Sequence, residues 1–142
     1  MAVSTVAQII AITEESSLIQ ELGLFEKAVE KRIEPIENLL SLDIKSANEF
    51  TLEQHMSKID SYRQISVKIH ALASCFLEHA KSPYFALAKG TGFERESKQK
   101  QLTAPFQGMV VRYEGLVKSI DSRVNMVKTL LRLQDEREKG MR

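Results

Sequence analysis

Near the end of the chain, Phe106, Val110, Tyr113, Leu116 or Val117, Ile120, Val124, Val127 and Leu131 follow one another at steps of three and four. That spacing returns side chains to one face of an α-helix, and sustained over several heptads it is the pattern of a bundle or coiled-coil helix. A solitary helix would leave the seam in water, so it must pack on another helix of this chain or on another chain. Pro105 suits the first helical position, with Thr103 and Ala104 as the residues available to cap it. The charged run Asp135–Lys139 followed by Gly140 marks the other end.

Two earlier segments carry the same period. The first runs from about Thr13 to Leu42, with Leu18, Ile19, Leu22, Phe25, Val29, Ile33, Ile36, Leu39 and Leu40 on one face. Thr13 is its candidate N-cap, Glu14 and Glu15 lie where carboxylates favour free N–H groups, and Pro35 predicts a kink or break near Ile33-Glu34. The second opens at Thr51-Leu52-Glu53-Gln54, which has the spacing of a capping box, and continues through Leu52, Met56, Ile59, Ile65, Ile69, Leu72, Ala73, Phe76 and Leu77 almost to Pro83. Gly90-Thr91-Gly92 predicts a loop or hinge, and the polar run Phe93–Gln101 a mobile or solvent-facing segment.

The expected fold class is all-α, with long antiparallel helices forming a helical hairpin or bundle, in an oligomer. The expected division is an N-terminal helical segment over 1–50 and a hairpin domain over 51–142, with a basic connector at 81–104. Three prolines, six glycines, no tryptophan and 6% aromatic residues leave few of the signals that regularly spaced strands require. The single cysteine, Cys75, lies in an apolar run and has no partner for an internal disulfide, as suits a reducing compartment. The N-terminus lacks the basic start of a secretory signal, and no apolar run approaches the roughly 20 residues of a membrane span. The expected location is the cytoplasm, with no membrane partner.

No motif nominates an enzyme. The chain has no phosphate-binding loop, nucleophile elbow or paired cysteines for zinc, and Gly90-Thr91-Gly92 lacks the third glycine of a dinucleotide fingerprint. His55, His70 and His79 do not share the one-turn spacing of a helical metal pair and read as surface or boundary residues. Glu14 with Glu15, and Glu34 with Glu37, fit solvated helix faces as well as any acid–base pair. No cofactor is implied.

What remains is a binding feature. The net charge of +1 conceals an asymmetry: residues 1–80 carry 7 Lys/Arg against 12 Asp/Glu, and residues 81–142 carry 13 against 7. A basic half can hold an anionic partner, or the acidic half of a neighbouring subunit. Lys81, Tyr84, Phe85, Lys89, Phe93, Arg95, Lys98, Lys100 and Arg112 interleave cations with aromatics. Cations that neutralise phosphates and rings on which bases stack are how single-stranded nucleic acid is held. Equally, the rings could pack on the core and the lysines be solvated.

A helix to about Ala80, a basic segment over Lys81–Lys100 with an internal glycine hinge, and a long last helix containing Asp121-Ser122-Arg123-Val124-Asn125-Met126-Val127-Lys128-Thr129-Leu130-Leu131-Arg132 together resemble the small recombination mediator proteins of T4-like tailed bacteriophages. The resemblance covers about residues 52–140, and its most specific part is the last helix. It implies a helical homo-oligomer that binds single-stranded DNA and helps a RecA-like recombinase displace the single-strand binding protein, in the host cytoplasm if phage-encoded. By match of segment, Lys81, Tyr84, Lys89, Arg95, Lys98, Lys100 and Arg112 would contact the strand. Val110, Tyr113, Leu116, Ile120, Val124, Val127 and Leu131 would build the oligomer. Residues 1–50 have no counterpart in that family, and the near-neutral charge departs from what a DNA-organising protein favours.

The competing expectation is a structural or adaptor protein, a component of a virion or complex, whose helices pair with those of a partner. An inhibitor that masks a partner's surface would use the same helices. The DNA reading requires Lys89, Arg95, Lys98 and Lys100 to gather on one accessible surface.

Overall fold

The computed structural model describes residues 5–82 and 92–140, and among them every regular element is an α-helix. The order is α1 (Val6–Ile10), α2 (Glu15–Leu40), α3 (Glu49–Ala80) and α4 (Gly92–Gly140).

The helix limits differ from the expected ones for identifiable reasons. α1 is a short helix that the apolar pattern does not announce. It is closed by a capping box in which the Thr5 hydroxyl accepts from the Gln8 N–H and the Gln8 side chain accepts from the Thr5 N–H. α2 starts after Glu14, not Thr13, and Glu14 makes no side-chain cap. Pro35 lies inside α2 without ending it. An internal proline costs about 3 kcal/mol, whereas the seven buried apolar side chains of α2, from Leu18 to Leu39, gain on the order of 10–20 kcal/mol before entropy is counted. Packing therefore overrides the breaker.

α3 begins two residues before Thr51, because the Asn48 side chain accepts the Thr51 N–H at 2.8 Å and serves as N-cap. The largest correction is at α4, which starts at Gly92 rather than Pro105 and runs for 49 residues. Thr103 is no cap; it is buried, and its hydroxyl donates back to the Gln99 carbonyl at 2.9 Å. Phe93–Lys98 is solvent-facing, as expected, and helical, as its polar, helix-compatible composition allows.

Three cross-links set the register of α3 on α4. The Gln99 amide donates to the Lys81 carbonyl (3.2 Å), Arg63 pairs with Asp121 (2.7 Å), and the Gln134 amide donates to the Ala47 carbonyl (2.7 Å). Rising numbers along one helix thus meet falling numbers along the other. α2 covers the seam between them, so its apolar face enters both core clusters. One cluster is aromatic: Phe25 stands 5.2 Å from Phe76 and 6.2 Å from Tyr113, and Phe76 stacks on Phe106 at 6.2 Å between ring centroids. The other is aliphatic, around Ile36, Leu39, Leu52, Ile59, Ile120 and Val127.

Residue 50 is therefore not a boundary in the packing, since α2 shares its core with α3 and α4. Ile9 of α1 is also buried in the aromatic cluster, and the His79 imidazole donates to the Ile12 carbonyl at 2.7 Å, tying the α1–α2 connector to α3. At 1.5 Å per residue α4 is about 74 Å long and α3 about 48 Å, so α4 extends past α3 at both ends.

Candidate functional site

The expected strand-binding residues divide into three groups. Tyr84 and Lys89 lie outside the described residues. Lys81, Arg95 and Lys98 come to one end of the bundle, where Gln99 reaches the Lys81 carbonyl; Arg95 and Lys98 are about 60° apart around α4, and Lys81 lies near the Glu78 carboxylate (3.9 Å). Lys100 and Arg112 do not join them. Lys100 points about 160° around the helix from Lys98. Arg112, three turns further along, pairs with Glu30 at 2.5 Å and lies over the Tyr113 ring, 5.8 Å from its centroid. The four cations that the DNA reading needs on one surface are thus not all together there.

The expected oligomer seam is redistributed as well. Tyr113, Ile120 and Val127 are buried within the single chain, while Val110, Leu116, Val124 and Leu131 are half-buried against the same clusters. Tyr113 lies among Phe25, Phe76 and Phe106, its hydroxyl without a hydrogen-bond partner, and burial pushes its pKa up to about 12. The seam that the resemblance assigned to the oligomer is the inner face of α4, packed on α2 and α3 of the same chain, the first of the two expected alternatives.

A groove of about 580 Å³ runs between α2 and α4, lined by Ile33, Glu37 and Leu40 on one side and by Leu116, Ser119, Ser122 and Met126 on the other. Its two cations are already engaged: Arg112 by Glu30, and Arg123 by the end of α2. The Arg123 guanidinium donates to the Leu42 carbonyl at 2.8 Å and to the Leu40 carbonyl. α2 has no basic residue in its own last turn, so Arg123 supplies from α4 the charge that its C-terminal carbonyls attract. No group of three or more His, Cys, Asp or Glu among the described residues could hold a metal ion. His55, expected at the surface or boundary, is buried, and its Nε2 has no partner. Burial, then Arg123 and Lys58, lower its pKa from the ordinary 6.5.

The outer face of α4 holds what the sequence reading missed. Ala104, Gly108, Val111, Gly115, Ser119, Ser122, Met126, Thr129 and Leu133 are all exposed. Their steps of three and four average close to 3.6, so they form one straight line along the helix. None is charged. Val111 is 60%, Met126 42% and Leu133 39% exposed. The Ser119 and Thr129 hydroxyls donate to the Gly115 and Asn125 carbonyls of their own helix (3.0 and 2.9 Å), which leaves the line less polar than its composition suggests. A helix-interior glycine costs about 1 kcal/mol relative to alanine, and a Cβ at Gly108 or Gly115 would meet nothing within 4 Å. Packing inside the chain does not require either glycine. The signal available in the sequence was this uncharged line on a helix otherwise dense in charge; small residues do not register as an apolar stripe.

No family model matches the chain, nor does any characterised protein or solved structure. Among the described residues no helix is long and apolar enough to cross a membrane.

Proposed function

We propose that this is a non-enzymatic helical assembly protein of the cytoplasm, an antiparallel bundle in which α4 is the docking rod, joining protein partners or its own copies by helix–helix contact. The observation that carries the reading is the uncharged, exposed line on α4 from Ala104 to Leu133. Lines of that kind let a second helix approach closely, because small residues bring the two axes together and the larger ones fill the space between. Structural, adaptor and inhibitory roles all use such a face. A photoreactive amino acid placed at Val111 or Met126 in producing cells should give protein adducts on irradiation. The same probe at Lys128, about 130° away around α4, should give none. Absence of protein adducts from both Val111 and Met126 would sink the reading.

A second reading is favoured by one observation: Lys81, Arg95 and Lys98 share the end of the bundle at which Phe93 is 82% exposed. This is the reading in which the chain, like the phage recombination mediators it resembles, holds single-stranded DNA for a RecA-like recombinase. It requires anisotropy of a labelled oligonucleotide to rise on titration, to fall steeply with salt, and to be abolished by Arg95→Glu with Lys98→Glu.

A further inference from the structure

We propose that the pocket between the α2–α3 connector and the first turns of α3 binds a small monocarboxylate with an apolar tail, its charged end seated between Lys58 and His55. The site lies apart from the outer line of α4 and goes beyond the docking-rod reading, so the two stand or fall separately.

The connector, residues 41–48, is tied to α4 near each of its ends. Arg123 donates to the Leu42 carbonyl at 2.8 Å, and the Gln134 amide to the Ala47 carbonyl at 2.7 Å. Between those ties the Ala47 N–H closes a turn on the Ile44 carbonyl at 3.1 Å, and Asn48 caps α3. The walls are therefore set before any ligand arrives, which lowers the ordering cost of binding. The pocket holds about 510 Å³, within the range of small-molecule sites.

Its two sides differ in chemistry. Leu39, Leu42, Ile44 and Ala47 make an apolar side, and Leu42 is 53% exposed, a large apolar side chain that the chain leaves half uncovered. Thr51, His55 and Lys58 line the other side, at steps of four and three along one face of α3. They lie towards its N-terminal end, where the helix favours negative charge. Lys58 is exposed and makes no ion pair among the described residues.

His55 supplies the second, independent observation. It is 6% exposed, and its Nε2 has no hydrogen-bond partner within the chain. A buried polar atom left unpaired destabilises the fold. Arg123 and Lys58 both oppose a positive charge on the ring, so an anion brought against it relieves the field. The carboxylate in the lining, Asp43, belongs to the connector and accepts from the N–H of the exposed Lys45 at 3.1 Å. One ligand class meets all of these demands: a carboxylate answers Lys58 and the imidazole, and a hydrocarbon tail covers Leu42. An inorganic anion would leave the apolar side uncovered, and a neutral hydrocarbon would leave the cations unanswered.

The probe is octanoate, with 1-octanol as its neutral counterpart, titrated into the full chain while the ring protons of the three histidines are followed by NMR. His55→Gln identifies the His55 signal by its loss. Octanoate should bind with a Kd of about 0.1–1 mM, displace the His55 signal, and raise the pH at which that ring protonates. By linkage its affinity should be about threefold or more higher near pH 5.5 than near pH 7.5, a range over which a carboxylate of ordinary pKa stays ionised. Lys58→Glu, which alters an exposed side chain, should keep the helical circular dichroism and weaken binding about tenfold or more. Arg112→Gln, in the separate groove between α2 and α4, should leave binding unchanged. A His55 signal unmoved at about 5 mM octanoate, octanol binding as tightly as octanoate, undiminished binding in Lys58→Glu, or loss of binding in Arg112→Gln each overturns the proposal.

Discussion

His55 is the side chain whose environment differs most from what its chemistry prefers. Its imidazole is buried, Nε2 has no partner, and Arg123 and Lys58 both oppose a positive charge on it, with Asp43 the one carboxylate lining the adjoining pocket. The folded chain therefore holds His55 neutral below the pH at which an unfolded chain would protonate it. Stability from this source is complete above the unfolded value of 6.5, is lost as pH falls from there through the lowered folded value, and then levels off. Melting temperature should accordingly fall between pH 7.5 and pH 5, and His55→Gln should flatten that part of the profile. An unchanged slope in the variant would mean that other groups carry it. The position of His55 was legible in the spacing, three residues after Leu52 and four before Ile59 on the stripe that α3 buries, but its titratable side chain made it read as a surface or boundary residue. Ile44 of the α2–α3 connector lines the same pocket as His55.

The ends of the helices were harder to read than their faces. Leu18, Leu22, Phe25, Val29, Ile33, Ile36 and Leu39 are the residues α2 buries; the spacing identified them together with Ile19, which is exposed, and Leu40, which is half-buried. The start of α3 did not follow from spacing: Thr51 and Gln54 have the form of a capping box, but Asn48 reaches the same N–H first. Pro35 and Pro105 both read as boundaries and both lie inside helices, because local preference is weaker than the burial on either side of them. The end of α2 depends on a residue more than eighty positions away, which no local pattern shows. Arg123→Ala should cost about 1–2 kcal/mol, since it leaves the last carbonyls of α2 without their charged donor; urea unfolding would measure it as a lower midpoint at constant m-value. It also removes one of the charges opposing protonation of His55, so the pH profile of the variant should be shallower.

For the whole molecule, α2 is the cover that turns a pair of long helices into a closed core. Phe25 touches both Phe76 of α3 and Tyr113 of α4, so neither long helix is covered on that side without it. A chain limited to residues 51–142, the division that the sequence pattern suggested, should retain helical signal but lose sharp cooperative unfolding and bind a hydrophobic dye. Full cooperativity in that fragment would show that α2 is an accessory. The all-helical class was legible because heptad spacing extends over most of the chain. The proposed docking face was not, because the eye follows the large apolar residues of α4 inward to Tyr113 and Ile120, and the outward line is made of residues that hydropathy passes over. Gly108 and Gly115 carry a consequence for anyone who improves this protein by design. A search for better folding would replace both with alanine and be rewarded, since each change favours the helix and disturbs no neighbour. If the outer line of α4 is the docking face proposed above, the same search scored by partner binding would have to leave those two positions alone.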